Sequence, residues 1–137
     1  MTMQALKQLF HCTYSLNVHL VLVTKYRRKC ISQKMLDYLH TEFFRIIGHW
    51  GCELIEFNGE KDHVHLLIRM NPKVAPATFV NNIKTVTSRL IRRDFSQELK
   101  SIYRKPVFWC RSYSILSCGG APLSVIKQYI ENQAQID

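Results

Sequence analysis

His63 and His65 stand two residues apart in Asp62-His63-Val64-His65-Leu66-Leu67-Ile68, an otherwise apolar, strand-like run. Successive side chains of a strand point to opposite faces, so both imidazoles must leave the same face of a sheet. That is half of a metal site. Near the C-terminus, Tyr129-Ile130-Glu131-Asn132-Gln133 reads as helix and sets a phenol and a carboxamide four residues apart on one face. If the two segments meet, a nucleophile lies beside a metal. Taken singly, the same residues have duller readings. Alternating histidines equally suit a solvated strand face, and periodicity does not choose Tyr129 from Tyr14, Tyr26, Tyr38, Tyr103 and Tyr113. Asp62 is placed to orient a histidine, to contact a metal or simply to sit in a turn. His11, His19, His40 and His49 receive no assignment.

The elements around these residues follow from periodicity. Tyr14 to Val23 is rich in β-branched and aromatic residues and ends in Lys25-Tyr26-Arg27-Arg28-Lys29, a first strand running into a charged loop. Ser32 is placed as an N-cap. After it Met35, Leu36, Leu39, Phe43, Ile46 and Ile47 repeat at helical spacing until Gly48 and Gly51. Glu53 to Phe57, an Asn58-Gly59 turn signal and His63 to Met70 read as a hairpin. Pro72 and Pro76 break the chain. Phe79, Ile83, Val86, Leu90 and Ile91 then form the apolar stripe of a second helix that leaves Lys84, Arg89, Arg92 and Arg93 among its polar positions. Phe95 to Lys105 reads as loop and Val107 to Cys118 as strand. Gly119-Gly120 precede Pro122, which suits the first turn of a final helix over 122–135.

Strand, helix, strand, strand, helix, strand is a split βαβ plan: an α+β, ferredoxin-like antiparallel sheet with both helices on one face, plus an extra C-terminal helix. On the histidine strand Val64, Leu66 and Ile68 then face the helices. His63, His65, Leu67 and Arg69 face the uncovered side. Residues 1–137 make one domain, large enough to bury a core without staples.

Nineteen Lys and Arg against ten Asp and Glu give a net charge of +9, and the basic residues cluster, which is the footprint of a polyanion binder. Lys25, Arg27, Arg28, Lys84, Arg89, Arg92 and Arg93 are the candidate phosphate contacts, while Tyr26 and Trp109 are candidates for stacking on unpaired bases. Cys12, Cys30, Cys52, Cys110 and Cys118 are odd in number and contain no C-x-x-C pair, so reduced thiols are expected rather than a disulfide framework or a zinc ribbon. The longest apolar run, Val18 to Val23, is interrupted by His19 and far too short to span a bilayer. With no signal pattern at the N-terminus, the expected location is the cytoplasm and no membrane is involved.

Several of these elements, in this order, resemble the single-tyrosine HUH transposases of small prokaryotic insertion sequences that move as single strands. The resemblance is carried by His19 through Arg28, Asp62 through Leu67, Ile83-Lys84 with Ser88-Arg89, Trp109 through Tyr113, and Tyr129 through Gln133. It covers nearly the whole chain. It departs between Cys110 and Gly120, where a more aromatic or valine-rich strand is usual, and four residues follow Gln133.

The resemblance implies an endonuclease and strand transferase acting on single-stranded DNA, with hairpin-bearing element ends as substrate. Tyr129 is the implied nucleophile; His63, His65 and Gln133 are the implied ligands of Mg²⁺ or Mn²⁺. A homodimer is implied too, with the last helix completing the site in cis or in trans. The donor types agree: two imidazoles and an amide oxygen leave coordination positions for water and a phosphate oxygen. A phenol, with pKa about 10, leaves more readily than an alkyl alcohol, so a phosphotyrosine linkage reverses without ATP. The rival from another class is a non-catalytic nucleic-acid-binding module, which calls for aromatics where the central strand has histidines. A domesticated single-tyrosine nuclease acting on genomic hairpin repeats shares the chemistry, and a hydrolase using activated water is separated by its indifference to loss of Tyr129.

Overall fold

The structure is a computed structural model that describes residues 7–9, 12–14 and 16–117. The expected helix over 122–135, with Tyr129 and Gln133, lies outside the described residues. A two-stranded antiparallel hairpin, β1 (Lys7–Leu9) and β2 (Cys12–Tyr14), precedes β3 (Asn17–Val23). The single first strand expected over Tyr14 to Val23 is therefore split. Then come α1 (Gln33–His49), β4 (Glu53–Gly59), β5 (His63–Arg69), α2 (Pro76–Asp94), the short α3 (Ser96–Leu99) and β6 (Ser114–Ser117).

The main sheet runs β4-β5-β3-β6 with every neighbouring pair antiparallel, which is the ferredoxin-like order. The Ser32 hydroxyl accepts from the Met35 N–H at 3.2 Å, capping α1 where the sequence places the cap. Such a cap is worth about 1 kcal/mol. Gly51, at φ 72, takes the left-handed conformation just beyond the helix. Pro76 occupies the first turn of α2, where its missing N–H costs nothing.

Leu20 and Leu22 from β3 and Val64, Leu66 and Ile68 from β5 meet Leu39, Phe43 and Ile47 of α1 and Phe79, Ile83 and Ile91 of α2 in one core. The opposite face is not bare. Val21 and Val23 are each only 1% exposed and form a second, smaller cluster with Cys110 and Leu116.

Two expected boundaries move. Asn58-Gly59 is not the hairpin turn: β4 continues through Gly59, which pairs with Val64, and the chain reverses over the next three residues, closed by a Glu60 N–H to His63 carbonyl bond of 2.8 Å. Gly59 is required for space, because a Cβ there meets Leu36 Cδ2 at 2.5 Å and the His63 carbonyl oxygen at 3.0 Å. The strand expected over Val107 to Cys118 shrinks to Ser114–Ser117, with one isolated bridge between Thr24 and Trp109 ahead of it.

Candidate functional site

The alternation of β5 does what its sequence calls for: Val64, Leu66 and Ile68 are fully buried toward the helices, and His63 and His65 project from the other face. In register, Val23 pairs with His63 and Val21 with His65 on one side, and Asn58 with His65 on the other. The two imidazoles meet edge to face, with centroids 4.8 Å apart.

Asp62, 5% exposed, sits under this pair. Its Oδ1 is 2.8 Å from His63 Nδ1, and its Oδ2 accepts from Arg27 Nε at 2.8 Å. Burial by itself pushes this carboxyl up, but the hydrogen bonds from His63 and Arg27 outweigh it and hold Asp62 below the usual 3.8. An ionised carboxylate only accepts, so Nδ1 carries a proton, and in the neutral ring Nε2 is the nitrogen with the lone pair. Burial, then the neighbouring His63 and His19, push His65 below its usual 6.5. Near neutral pH its ring is in the neutral form that binds metals.

The basic loop is fastened to the same corner. Thr24, wholly buried, donates its N–H to the Asp62 carbonyl at 3.0 Å, and its hydroxyl lies 2.7 Å from the Arg28 carbonyl. Lys25 N–H donates to Phe108 O, Cys110 N–H to Val23 O, and the Tyr103 hydroxyl to Lys25 O at 2.7 Å. Within this frame Tyr26 and Arg27 both take left-handed backbone, φ 59 and φ 52. That conformation costs roughly 1–3 kcal/mol per non-glycine residue and persists only where surrounding bonds impose it.

The candidate phosphate contacts separate into groups. Lys25, Arg27 and Arg28 share the loop beside Asp62, with Lys25 Nζ 5.3 Å from the centre of the Tyr26 ring. Lys84 donates to Arg111 O at 2.7 Å and lies over Tyr113, and Arg92 Nε donates to Ser88 Oγ at 3.2 Å. Arg89 is exposed, whereas exposed Arg93 is engaged by the adjacent Asp94 at 2.7 Å. Trp109 is not a stacking platform: it is 6% exposed, and its indole N–H donates to Thr87 Oγ at 3.0 Å in the core. Tyr26, at 50% exposure, is displayed. Asp62 is brought to the site more firmly than its turn-like position suggests, and the sequence gives no sign of Thr24 or Tyr103, whose partners are distant in the chain.

Comparison with known proteins makes this a DNA-processing protein of the transposase class. The chain belongs to the family described as Transposase IS200 like, which matches residues 12–133. It is 27% identical over 131 residues to the transposase for insertion sequence element IS200 of Salmonella typhimurium, covering 96% of this chain and 85% of that one. Against the ISDra2 transposase TnpA of Deinococcus radiodurans it is 30% identical over 120 residues, 88% of this chain and 85% of the relative. A Deinococcus radiodurans R1 protein solved as a candidate transposase superimposes with a TM-score of 0.85 at 31% identity, covering 93% of this chain and 97% of that one. A tyrosine transposase associated with REP sequences, bound to a REP hairpin, shares the fold at a TM-score of 0.55 and 8% identity, over 85% of this chain and 62% of that one.

Proposed function

We propose that this transposase cuts and rejoins single-stranded DNA at hairpin-bearing element ends through a covalent 5′-phosphotyrosine on Tyr129. The observation that carries the reading is the His63–His65 pair on one sheet face, with Asp62 fixing the ring of His63. The pair suits a divalent ion: each imidazole offers a nitrogen lone pair, and the face is half-buried. Among the described residues no three His, Cys, Asp or Glu side chains form a metal-holding group, and the reading takes Gln133 as the further ligand. Bound there, Mg²⁺ or Mn²⁺ supplies a Lewis acid for a phosphate oxygen.

The chain's own residues do the rest. The Tyr129 phenol gives up its proton and its oxygen attacks phosphorus. The bond from phosphorus to the 3′ oxygen breaks, and that oxygen leaves as a 3′-hydroxyl after taking a proton. The phosphodiester energy is kept in the tyrosyl ester, so a 3′-hydroxyl on another strand reverses the linkage. Cations of the loop and of α2 hold the flanking phosphates.

The test incubates the protein with labelled single strands from the ends of its own element and Mg²⁺ or Mn²⁺. A protease-sensitive adduct on a denaturing gel is expected, lost with chelator and with Tyr129→Phe. Binding with no adduct on any strand points instead to a nucleic-acid-binding module. The reading includes a homodimer whose last helix completes the partner's site. Mixing Tyr129→Phe with His63→Ala protein is then expected to restore adduct formation, and a mixture as inactive as its parts places the helix in cis.

A further inference from the structure

Three clefts lie end to end along the side of the molecule formed by the basic loop, the 102–111 segment and α2. The first, about 250 Å³, is lined by Tyr26 and Tyr103 with Arg28, Arg104 and Lys105. The second, about 130 Å³, shares Tyr103, Lys105 and Val107 with the first. The third, about 300 Å³, shares Arg92 and Val107 with the second and continues past Lys84 to Arg111. Among the described residues that line the three, none is acidic. A polyanion matches such a track.

Tyr26 gives the track a chemical direction. Its left-handed backbone is one that a bulky residue adopts only under constraint, and the constraint is visible: Arg27 N–H donates to Thr24 O at 2.8 Å, and Tyr103 OH to Lys25 O. A glycine or asparagine would suit this backbone better, and with tyrosine there the constrained turn displays an aromatic ring. That ring stands half-exposed at the first cleft. The next residue, Arg27, reaches Asp62 and through it His63. The aromatic end of the track is therefore tied to the paired histidines through the Arg27–Asp62–His63 contacts.

We propose that the first cleft is a nucleotide subsite for the substrate strand: the base of a nucleotide flanking the scissile phosphate stacks on Tyr26. The flanking phosphates meet Arg28, Arg104 and Lys105, and the strand continues along the second and third clefts. This rests on the reading of the protein as a single-strand transposase, but the test is one of binding and does not need cleavage.

Tyr129→Phe protein is titrated with a set of single-stranded oligonucleotides from the element's ends, each carrying one abasic residue at a different position. One position is expected to weaken binding by roughly five- to a hundredfold, the range of one lost base–aromatic stack. The same position should stay sensitive with Tyr26→Phe added and become insensitive with Tyr26→Asn, a residue that tolerates the left-handed backbone without supplying a ring. Lys105→Ala is expected to lower the slope of log affinity against log salt by about 0.7 without moving that position. A strand that binds equally well with every abasic substitution overturns the subsite, as does a sensitive position that persists undiminished in Tyr26→Asn. If the wild type forms no adduct while the Tyr26-dependent position is present, the covalent mechanism falls and the subsite stands.

Discussion

Each oxygen of the Asp62 carboxylate has its own partner, His63 Nδ1 on one side and Arg27 Nε on the other, both at 2.8 Å. One residue thereby sets the tautomer of a candidate metal ligand and ties the basic loop to the histidine strand. Asp62→Asn keeps the shape and removes the charge. An amide also has only one acceptor oxygen, so it cannot serve both partners. Under the proposed chemistry the Mg²⁺ needed for half-maximal adduct formation is expected to rise about 10- to 100-fold, the usual cost of losing a partner behind a ligating histidine. An unchanged Mg²⁺ requirement would show that His63 is oriented by something else. At this scale the sequence is readable for the histidines and not for their support. His63 and His65 declare their common face through strand alternation. Thr24 and Arg27 lie 38 and 35 residues from Asp62, and no local pattern announces a contact across that distance.

The elements divide along the same line, between what is local and what is not. Ser32 caps α1 and the apolar stripes of α1 and α2 bury where periodicity puts them, because capping and amphipathicity are properties of neighbouring residues. The hairpin turn falls after Gly59 although Asn58-Gly59 carries a strong turn signal, because the glycine is there to let Leu36 approach the strand. Trp109 is the sharper case: an aromatic in a basic, strand-like stretch reads as a base-stacking candidate, yet α2 presents Thr87 to its indole N–H. Trp109→Phe keeps an aromatic ring but deletes that donor and shrinks a buried side chain, while the Thr87 hydroxyl still bonds the Ile83 carbonyl at 2.6 Å. The expected cost is about 1–3 kcal/mol in urea unfolding, from the lost hydrogen bond and the lost indole volume, with affinity for a single strand unchanged within about twofold, against the larger loss that removal of a stacking partner brings. Weakened DNA binding at unchanged stability would return Trp109 to the interface.

Across the whole molecule the net charge of +9 is less informative than its distribution. From residue 37 to 60, through α1 and β4, stand Asp37, Glu42, Glu53, Glu56 and Glu60 against Arg45 alone among Lys and Arg. From Lys84 to Arg111 stand Lys84, Arg89, Arg92, Arg93, Lys100, Arg104, Lys105 and Arg111 against Asp94 and Glu98. The sheet order puts β4 at one edge and β6 at the other. α1 packs with β4, and Lys84 and Thr87 of α2 reach the segment leading into β6. The fold thus sorts a charge division already present along the chain into an acidic edge and a basic edge. Under the proposed function a single strand is steered to the basic one, and the effect must depend on where a charge is altered as well as on its sign. Arg92→Glu is expected to weaken single-strand binding by at least about fivefold near 50 mM salt, with the difference shrinking as salt rises, because each lost phosphate contact takes about 0.7 from the salt slope. Asp37→Lys adds two positive charges to the total and, placed on exposed α1, is expected to change affinity by less than about twofold at moderate salt, where charges more than a Debye length away are screened. Equal and opposite effects from the two variants would mean that net charge alone draws the DNA, and would remove the basic edge as its path.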